Sequence, residues 1–540
     1  MSQDFPTSLA ADMEAAVAHD RAGRLEEAER RYAEILAREA DTLAAAFNLG
    51  LVQLRRGRPE AAEASFARAL QIAPAYANAM VNRGTALKAL NRPAEAEACY
   101  RGALALEPGH AAAIRNLGIL FNLLERHQDA LEAADLALTV AGTPESFIAR
   151  GDALYGLGRF EDALASYAEA GNLSPDPYET LIKAAIARTP LRQYPQALAL
   201  LEEAVALRPE NPLAYFQRAS IRLLTCDFAG GWRDYEFRWR NALFNASSAA
   251  MVSPQVRESL ALNLGIDDVR GRRVLLVGEQ GIGDQVMFAS MIPDLAAVAA
   301  SVTCVCDSRL LGLFSNSFPA VRFVDPGATN LSRSAFDLVV AMGSLGRIFR
   351  NRIEDFPGTA YLRPREDVVA RWAARLGARP KGLRIGLSWR GGTPGTSASQ
   401  RSLALARLAP RLEAPGDEFV SLQYGDVSAE VAAVNAGLAR EIRVFLPGDI
   451  DDYEELAGLI ANLDLVVSVQ TSVVHLTGAL GTECRVMVPY NPIWRYTANA
   501  ATMPWYRSAR IFRQPEPEGW DPVIESVAET LRASRPPART

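Results

Sequence analysis

The chain predicts an α + α/β protein, a helical repeat array followed by two parallel α/β lobes. Three observations carry that reading. Gly50, Gly84 and Gly118 recur 34 residues apart (84 − 50 and 118 − 84), and Gly151 follows 33 later. From Val274 onward, short apolar runs end in polar or glycine-rich turns and alternate with helical segments, as in a parallel sheet. The stretch Val274-Leu-Leu-Val-Gly-Glu-Gln-Gly-Ile-Gly-Asp284 reads as buried strand, tight turn and helix start. Its Gly278, Gly281 and Gly283 let backbone approach a ligand, and the helix start offers N–H groups to an anion.

A chain of 540 residues is too long for one core. Its net charge of -6 comes without a basic block, so nucleic acid is not an expected partner. No apolar run approaches the ~18 residues that span a membrane. Met1-Ser-Gln-Asp-Phe-Pro lacks a basic start and an apolar stretch, so no signal peptide is expected. Cys99, Cys226, Cys304, Cys306 and Cys484 form no disulfide framework, and a cytoplasmic location is the expectation. Cys304 and Cys306 share one strand face and read as buried thiols, because no third metal ligand is near. Lysine stands only at 88, 183 and 381, and no Gly-x-x-x-x-Gly-Lys loop exists, which excludes a P-loop NTPase. A phosphate clamp here must use arginine, hydroxyl or backbone.

Residues 9–240 carry the repeat. Pro74 and Pro108 keep the same spacing, Ala62, Ala96, Ala130 and Ala163 recur, and Phe66, Tyr100 and Tyr167 follow them. Asn48-Leu-Gly and Asn116-Leu-Gly repeat literally. This pattern resembles the tetratricopeptide repeat, with about six units from Leu9 to Pro209. A seventh is expected to degenerate into Cys226–Arg240. One pair cannot bury its apolar face, so the units stack into a solenoid whose concave surface suits a protein segment. Asn48, Asn82 and Asn116 form a ladder that either binds peptide backbone or is structural. The aromatic and basic run Trp232–Arg240 is expected to seal the last helix pair against the next domain.

Residues 241–270 read as a linker, 271–380 as one lobe and 381–525 as the second, with 526–540 as the end of the last helix and a tail. Strands are expected at 274–277, 302–307, 321–325, 336–342, 383–390, 418–425, 442–447, 463–469 and 485–489. Asp307 at the end of the second strand invites a dinucleotide reading, but Gly278–Gly283 is not G-x-G-x-x-G, so that fingerprint fails. The polar loops all follow strands: Gln280–Asp284, Trp389–Arg401, Gln423–Asp426, Gln470–His475 and Asn491–Trp494. By topology they converge on one site.

Four motifs occur in order: Asp227-Phe-x-x-Gly-Trp-x-x-Tyr-Glu-x-Arg-Trp-Arg240, Gly278-Glu-Gln-Gly-x-Gly-Asp284, Arg401-Ser-Leu and Thr471-Ser-x-x-His-Leu-x-Gly-Ala-Leu-Gly481. With them the chain resembles the bacterial tetratricopeptide-repeat glycosyltransferases, whose catalytic part is similar to the heptosyltransferases. The resemblance implies a GT-B fold of two Rossmann-like lobes. It implies inverting, metal-independent transfer of a sugar from a nucleotide sugar to a protein serine or threonine, with no cofactor. By architecture, flagellin glycosyltransferases are the nearest likeness, with flagellin as acceptor. Asp284 would be the general base, beside the acceptor-side loop Gln280, Gly281 and Gly283. Its plainer reading is a helix cap. Arg390, Arg401, Thr471 and Ser472 would bind donor phosphate. His475 would donate to the phosphate or sugar, and Gln423 and Tyr424 would meet the base or ribose. The family pattern often has aspartate where this chain has Gln470. That departure suits a donor bearing a carboxylate, such as a CMP-linked nonulosonic acid, or marks lost catalysis. Three other readings remain open here: an assembly scaffold with degenerate lobes, transfer to a lipid-linked glycan, and a redox enzyme.

Overall fold

The computed structural model describes residues 8–240, 256, 258–327, 333–391, 401–517 and 519–535. Part of the expected linker, the loop 392–400 and the tail from 536 lie outside the described residues. The chain divides into two compact units, residues 1–200 and 201–540.

The first unit is built from antiparallel helix pairs such as Leu43–Arg55 with Pro59–Ile72 and Ala77–Ala89 with Pro93–Leu106. Pro59 and Pro93 open their helices where a missing N–H costs nothing. The 34-residue rhythm has a steric cause. A Cβ on Gly50, Gly84 or Gly151 would lie 2.6, 2.6 or 2.4 Å from the ring of Phe66, Tyr100 or Tyr167. Each glycine is the slot for the aromatic of its own pair. The alanines at 62, 96, 130 and 163 are buried beside them. A second period is backbone only. Gly23, Gly57, Asn91, Glu125 and Gly158 turn between the helices of each pair with φ of 72°, 70°, 56°, 58° and 74°. Glycine or asparagine suits this left-handed turn, while Glu125 is strained there.

The second unit opens with one more helix pair, Pro212–Leu224 and Phe228–Tyr235, turned by Cys226 at φ 67°. The seventh pair keeps the left-handed turn but degenerates as expected, since its second helix has 8 residues against 14 in Pro59–Ile72 and passes into the 3₁₀ turn Glu236–Arg240. Its aromatics seal it to the α/β layers, as expected. Trp232 Nε1 donates to the Arg350 carbonyl at 2.8 Å, and its ring lies where a Cβ on Gly346 would be, 2.6 Å away.

Two sheets follow. The first holds β1 (Arg273–Val277), β2 (Ser301–Val305), β3 (Arg322–Val324) and β4 (Leu338–Ala341), all parallel, in the order β3-β2-β1-β4. The second holds β5 (Arg384–Ser388), β6 (Glu418–Ser421), β7 (Leu465–Val469), β8 (Glu483–Val488), β9 (Thr502–Met503) and β10 (Tyr506–Arg513), in the order β6-β5-β7-β8-β10-β9. Only β9 pairs antiparallel. β5 and β7 are buried at every residue, which is why they read as unbroken apolar runs. The expected strand at 442–447 is reduced to one bridge, Val420 with Arg443, because the short helix Pro447–Ile450 begins where the run would continue. β9 and β10 were not expected, since arginines at 507, 510 and 513 break up β10's apolar residues. Among the described residues no helix is long and apolar enough to cross a membrane.

The glycine slots predict an asymmetry between neighbouring repeats. Gly84→Ala should lower the stability of the repeat unit by about 1–3 kcal/mol through overpacking. Gly118→Ala, whose Cβ would sit 3.6 Å from Ala133 Cβ, should be neutral or slightly stabilising. Thermal melts of both variants beside the parent chain check this.

Candidate functional site

Strand order reverses beside β1 in the first sheet and beside β5 in the second, and a crevice for ligand is expected at each reversal. The first crevice is filled by the chain itself. The fully buried Arg238 reaches between the turns after β1 and β4. Its Nε and Nη2 donate to Glu279 at 2.8 and 2.7 Å, and Nη2 also donates to Ser344 Oγ at 3.1 Å. Its Nη1 donates to Glu236 at 3.0 Å, and Glu279 accepts from Gly343 N at 2.7 Å. Nothing is left there for a dinucleotide. Asp307 is occupied as well, by Arg309 at 2.8 Å.

The second crevice is built differently. Gln423 Oε1 accepts from Trp389 N and Arg390 N at 3.0 and 2.8 Å, and its Nε2 donates to Arg390 O at 3.1 Å. Gln423 thus shapes the turn after β5. Its amide is spent on backbone rather than offered to a base or ribose. Gly391 is obligatory there, because a Cβ would stand 2.6 Å from the Gln470 carbonyl. Thr471 Oγ1 lies 3.1 Å from Ser468 Oγ and 3.5 Å from Ser388 Oγ at the start of helix Ser472–Ala479. The Gln470 side chain is buried with neither amide atom hydrogen-bonded, in a position where such groups are nearly always satisfied.

The turn Gln280–Asp284 meets this crevice. A Cβ on Gly283 would sit 3.2 Å from Ser472 Cα and 3.3 Å from His475 Cδ2, so the close approach of helices Ile282–Phe288 and Ser472–Ala479 needs glycine. Asp284 is bound by Arg495, a residue the sequence did not single out. Arg495 Nη2 also donates to Gln280 Oε1 at 3.2 Å, and its guanidinium lies 4.7 Å from the centre of the Trp494 ring. The clue was that Arg495 is the one charged residue in the loop Asn491–Tyr496 after β8. Gln280 takes a left-handed φ of 60° and donates to Tyr235 OH.

His475 is buried, and a chain of hydroxyls fixes its tautomer. Tyr361 OH donates to Val286 O at 2.7 Å, so Tyr506 OH must donate to Tyr361 at 3.3 Å. His475 Nδ1, 3.3 Å from Tyr506 OH, must then be the donor, which leaves Nε2 as an acceptor. Burial, reinforced by the charge of Arg495, holds the imidazole down to about 3. A neutral ring with an accepting Nε2 is not the phosphate donor that the sequence suggested.

Arg390 is half exposed and pairs with Glu430 at 3.4 Å. Burial, with the like charge of Arg495 adding to it, pulls Arg401 below its ordinary range. Tyr424 is exposed. Among the described residues the strand-end loops meet as expected, while 392–400 of the loop Trp389–Arg401 lie outside them. Asn48, Asn82 and Asn116 are half-buried, and the last two have partners of their own. Asn82 donates to Asn78 O at 2.8 Å, and Asn116 donates to Thr85 Oγ1 at 3.3 Å.

A repeat unit joined to parallel α/β layers defines a tetratricopeptide-repeat protein with an α/β region. Models of the tetratricopeptide repeat match residues 13–77, 81–146 and 144–169. Protein FlbA of Caulobacter vibrioides is 30% identical over 435 residues, which cover 75% of this chain and 70% of FlbA. The chain belongs to that family. Among solved structures, a tetratricopeptide repeat protein from Parabacteroides merdae aligns at 19% identity, over 42% of this chain and 91% of its own, with a TM-score of 0.39. The pilF protein of Pseudomonas aeruginosa aligns at 18% identity, over 38% of this chain and 94% of its own, with a TM-score of 0.34.

The buried imidazole sets a pH dependence. Unfolded, His475 binds a proton near pH 6.5, and folded only near 3. Unfolding takes up a proton between those values, so this stability is complete above pH 6.5 and drains as pH falls toward 3. His475→Gln should flatten the dependence by up to about 1.4 kcal/mol per pH unit. Denaturant midpoints measured at several pH values across that window read it.

Proposed function

We propose that this chain is a glycosyltransferase of GT-B type that moves a sugar from a nucleotide sugar to serine or threonine hydroxyls of a protein held by the repeat unit. The observation that carries the reading is the second crevice. There the N-terminus of helix Ser472–Ala479, the hydroxyl of Thr471, Arg401 and the unpartnered Gln470 amide gather at a strand-order reversal. These groups suit a phosphate and an adjoining sugar. Asp284 stands across the cleft as the base for an incoming hydroxyl. Arginines and helix N–H groups neutralise the leaving phosphate, so transfer should persist in chelator. Gln470 in place of a carboxylate suits a donor that is itself acidic, a CMP-linked nonulosonic acid first among them. Flagellin is the proposed acceptor, on the likeness of architecture.

A second reading, a scaffold with a silent α/β unit, is favoured by one observation. The Oδ1 of Asp284 is ion-paired to Arg495, so the carboxylate is engaged within the chain. Thermal shift against CMP, UDP, GDP and ADP separates the two. A nucleotide at ~100 times its Kd stabilises by about 2.7 kcal/mol. The transferase reading expects one of the four to shift the melt, and Asp284→Ala to lower transfer by about 10²–10⁴-fold. No shift with any nucleotide on folded protein would favour the scaffold.

A further inference from the structure

The second unit encloses a cavity of about 400 Å³ whose lining shares no residue with either crevice. Its walls come from three places. Helices Ile292–Val298 and Leu311–Ser317, with Ser290 and Arg350, supply one side. The segment 356–363, on the way from β4 to β5, supplies another, and Trp505 between β9 and β10 closes the third. The segment is pinned at both ends. Tyr361 N and Leu362 N donate to Ala479 O at 2.9 and 3.0 Å, and Arg363 N donates to Ser317 Oγ at 2.9 Å. The cavity is thus a fixed space and not a gap under a free loop.

The wall is rich in donors that the chain leaves unused. Arg350 and Trp505 are each only 3% exposed. Even so, Arg350 Nε and the indole N–H of Trp505 have no acceptor among the described residues, and the buried hydroxyl of Ser290 has no partner. Buried groups of these kinds nearly always find one. Thr359 spends neither its hydroxyl nor its N–H within the described chain. Charge points the same way. Asp294 is the one carboxylate in the lining, and its Oδ2 already accepts from Arg350 Nη2 at 2.8 Å. Arg363, exposed at the rim, has no ion pair among the described residues. Unused donors with an unmatched guanidinium favour a ligand that is rich in acceptors and negatively charged.

We propose that this cavity is a binding site for a small molecule that presents a carboxylate or a phosphate. The anionic oxygens take the hydrogen bonds of Ser290, Arg350 Nε and Trp505, and Arg363 meets the charge at the rim. The volume falls within the range of small-molecule sites. Binding makes and breaks no covalent bond, and the inference does not depend on the transferase reading.

Calorimetric titration of the full chain with inorganic phosphate, and separately with glucuronate, at fixed ionic strength tests the site. Saturable binding of at least one probe is expected, and the tighter of the two names the anionic group. Ser290→Ala decides where the probe sits. It removes a hydroxyl that nothing in the described chain uses, so the melt of the empty protein should not fall. Binding should weaken by about ten-fold, the loss expected for a hydrogen bond to a charged group. Arg363→Gln should weaken binding less and lower its sensitivity to salt. Thr471→Val, in the crevice of β5 and β7, should bind the probe as the parent does. Binding that Ser290→Ala leaves intact overturns the inference. Where Thr471→Val then removes it, the anion sits in the crevice; where only Arg363→Gln weakens it, the anion is a loosely held surface ion. Absence of binding by both probes overturns the inference as well. Should Ser290→Ala fail to fold, Trp505→Phe, which keeps an aromatic ring and removes the N–H, is read in its place with the same expected loss.

Discussion

Arg238 and Glu279 form the contact on which the α/β unit depends. Both are wholly buried, and two parallel N–H···O bonds join them across 41 residues of sequence. Charges removed from water in this way are costly unless well hydrogen-bonded, and here each N–H of Arg238 has an acceptor. Glu236, Ser344, Gly343 N and the Tyr235 carbonyl complete the network. Removing Arg238 would strand the buried carboxylates of Glu279 and Glu236, at a cost of about 3–5 kcal/mol. The pair fixes the Gly278–Asp284 turn to the last helix pair. It also closes the crevice where an open α/β sheet ordinarily receives its ligand. The proposed phosphate site is the second sheet's crevice, which Asp284 meets with its Oδ1 ion-paired to Arg495.

Much of this was legible in the sequence because the physics is local. Thirty-four-residue spacing of Gly50 and Gly84 follows from a ring needing space within each pair. Eight strands showed as apolar runs because both faces of each sheet are covered. The convergence of the strand-end loops followed from parallel topology alone. The run Trp232–Arg240 was also read as a seal, and the Trp232 ring is buried against Gly346.

What stayed hidden is long-range. Arg495 lies 211 residues from Asp284, and nothing near either residue in the sequence announces the pair. Gln423 looked like a ligand contact because it ends a strand, yet its amide is consumed by the backbone of Trp389 and Arg390. His475 looked like a donor until the hydroxyls of Tyr361 and Tyr506 fixed its tautomer. The left-handed turn of the seventh pair was masked because such a turn residue is recognisable as glycine or asparagine and not as Cys226. β10 was lost for a related reason, its charges being placed by neighbours that no local pattern reveals.

The central claim is that ligand enters at the end of β5 and β7 and not at the end of β1 and β4. Amide hydrogen exchange on the full chain, with and without a saturating nucleotide, tests it directly. The account predicts slowed exchange at 389–391 and 470–474, with 342–346 unchanged because Arg238 and Glu279 already close that crevice. Slowed exchange at 342–346, with 470–474 unaffected, would contradict it.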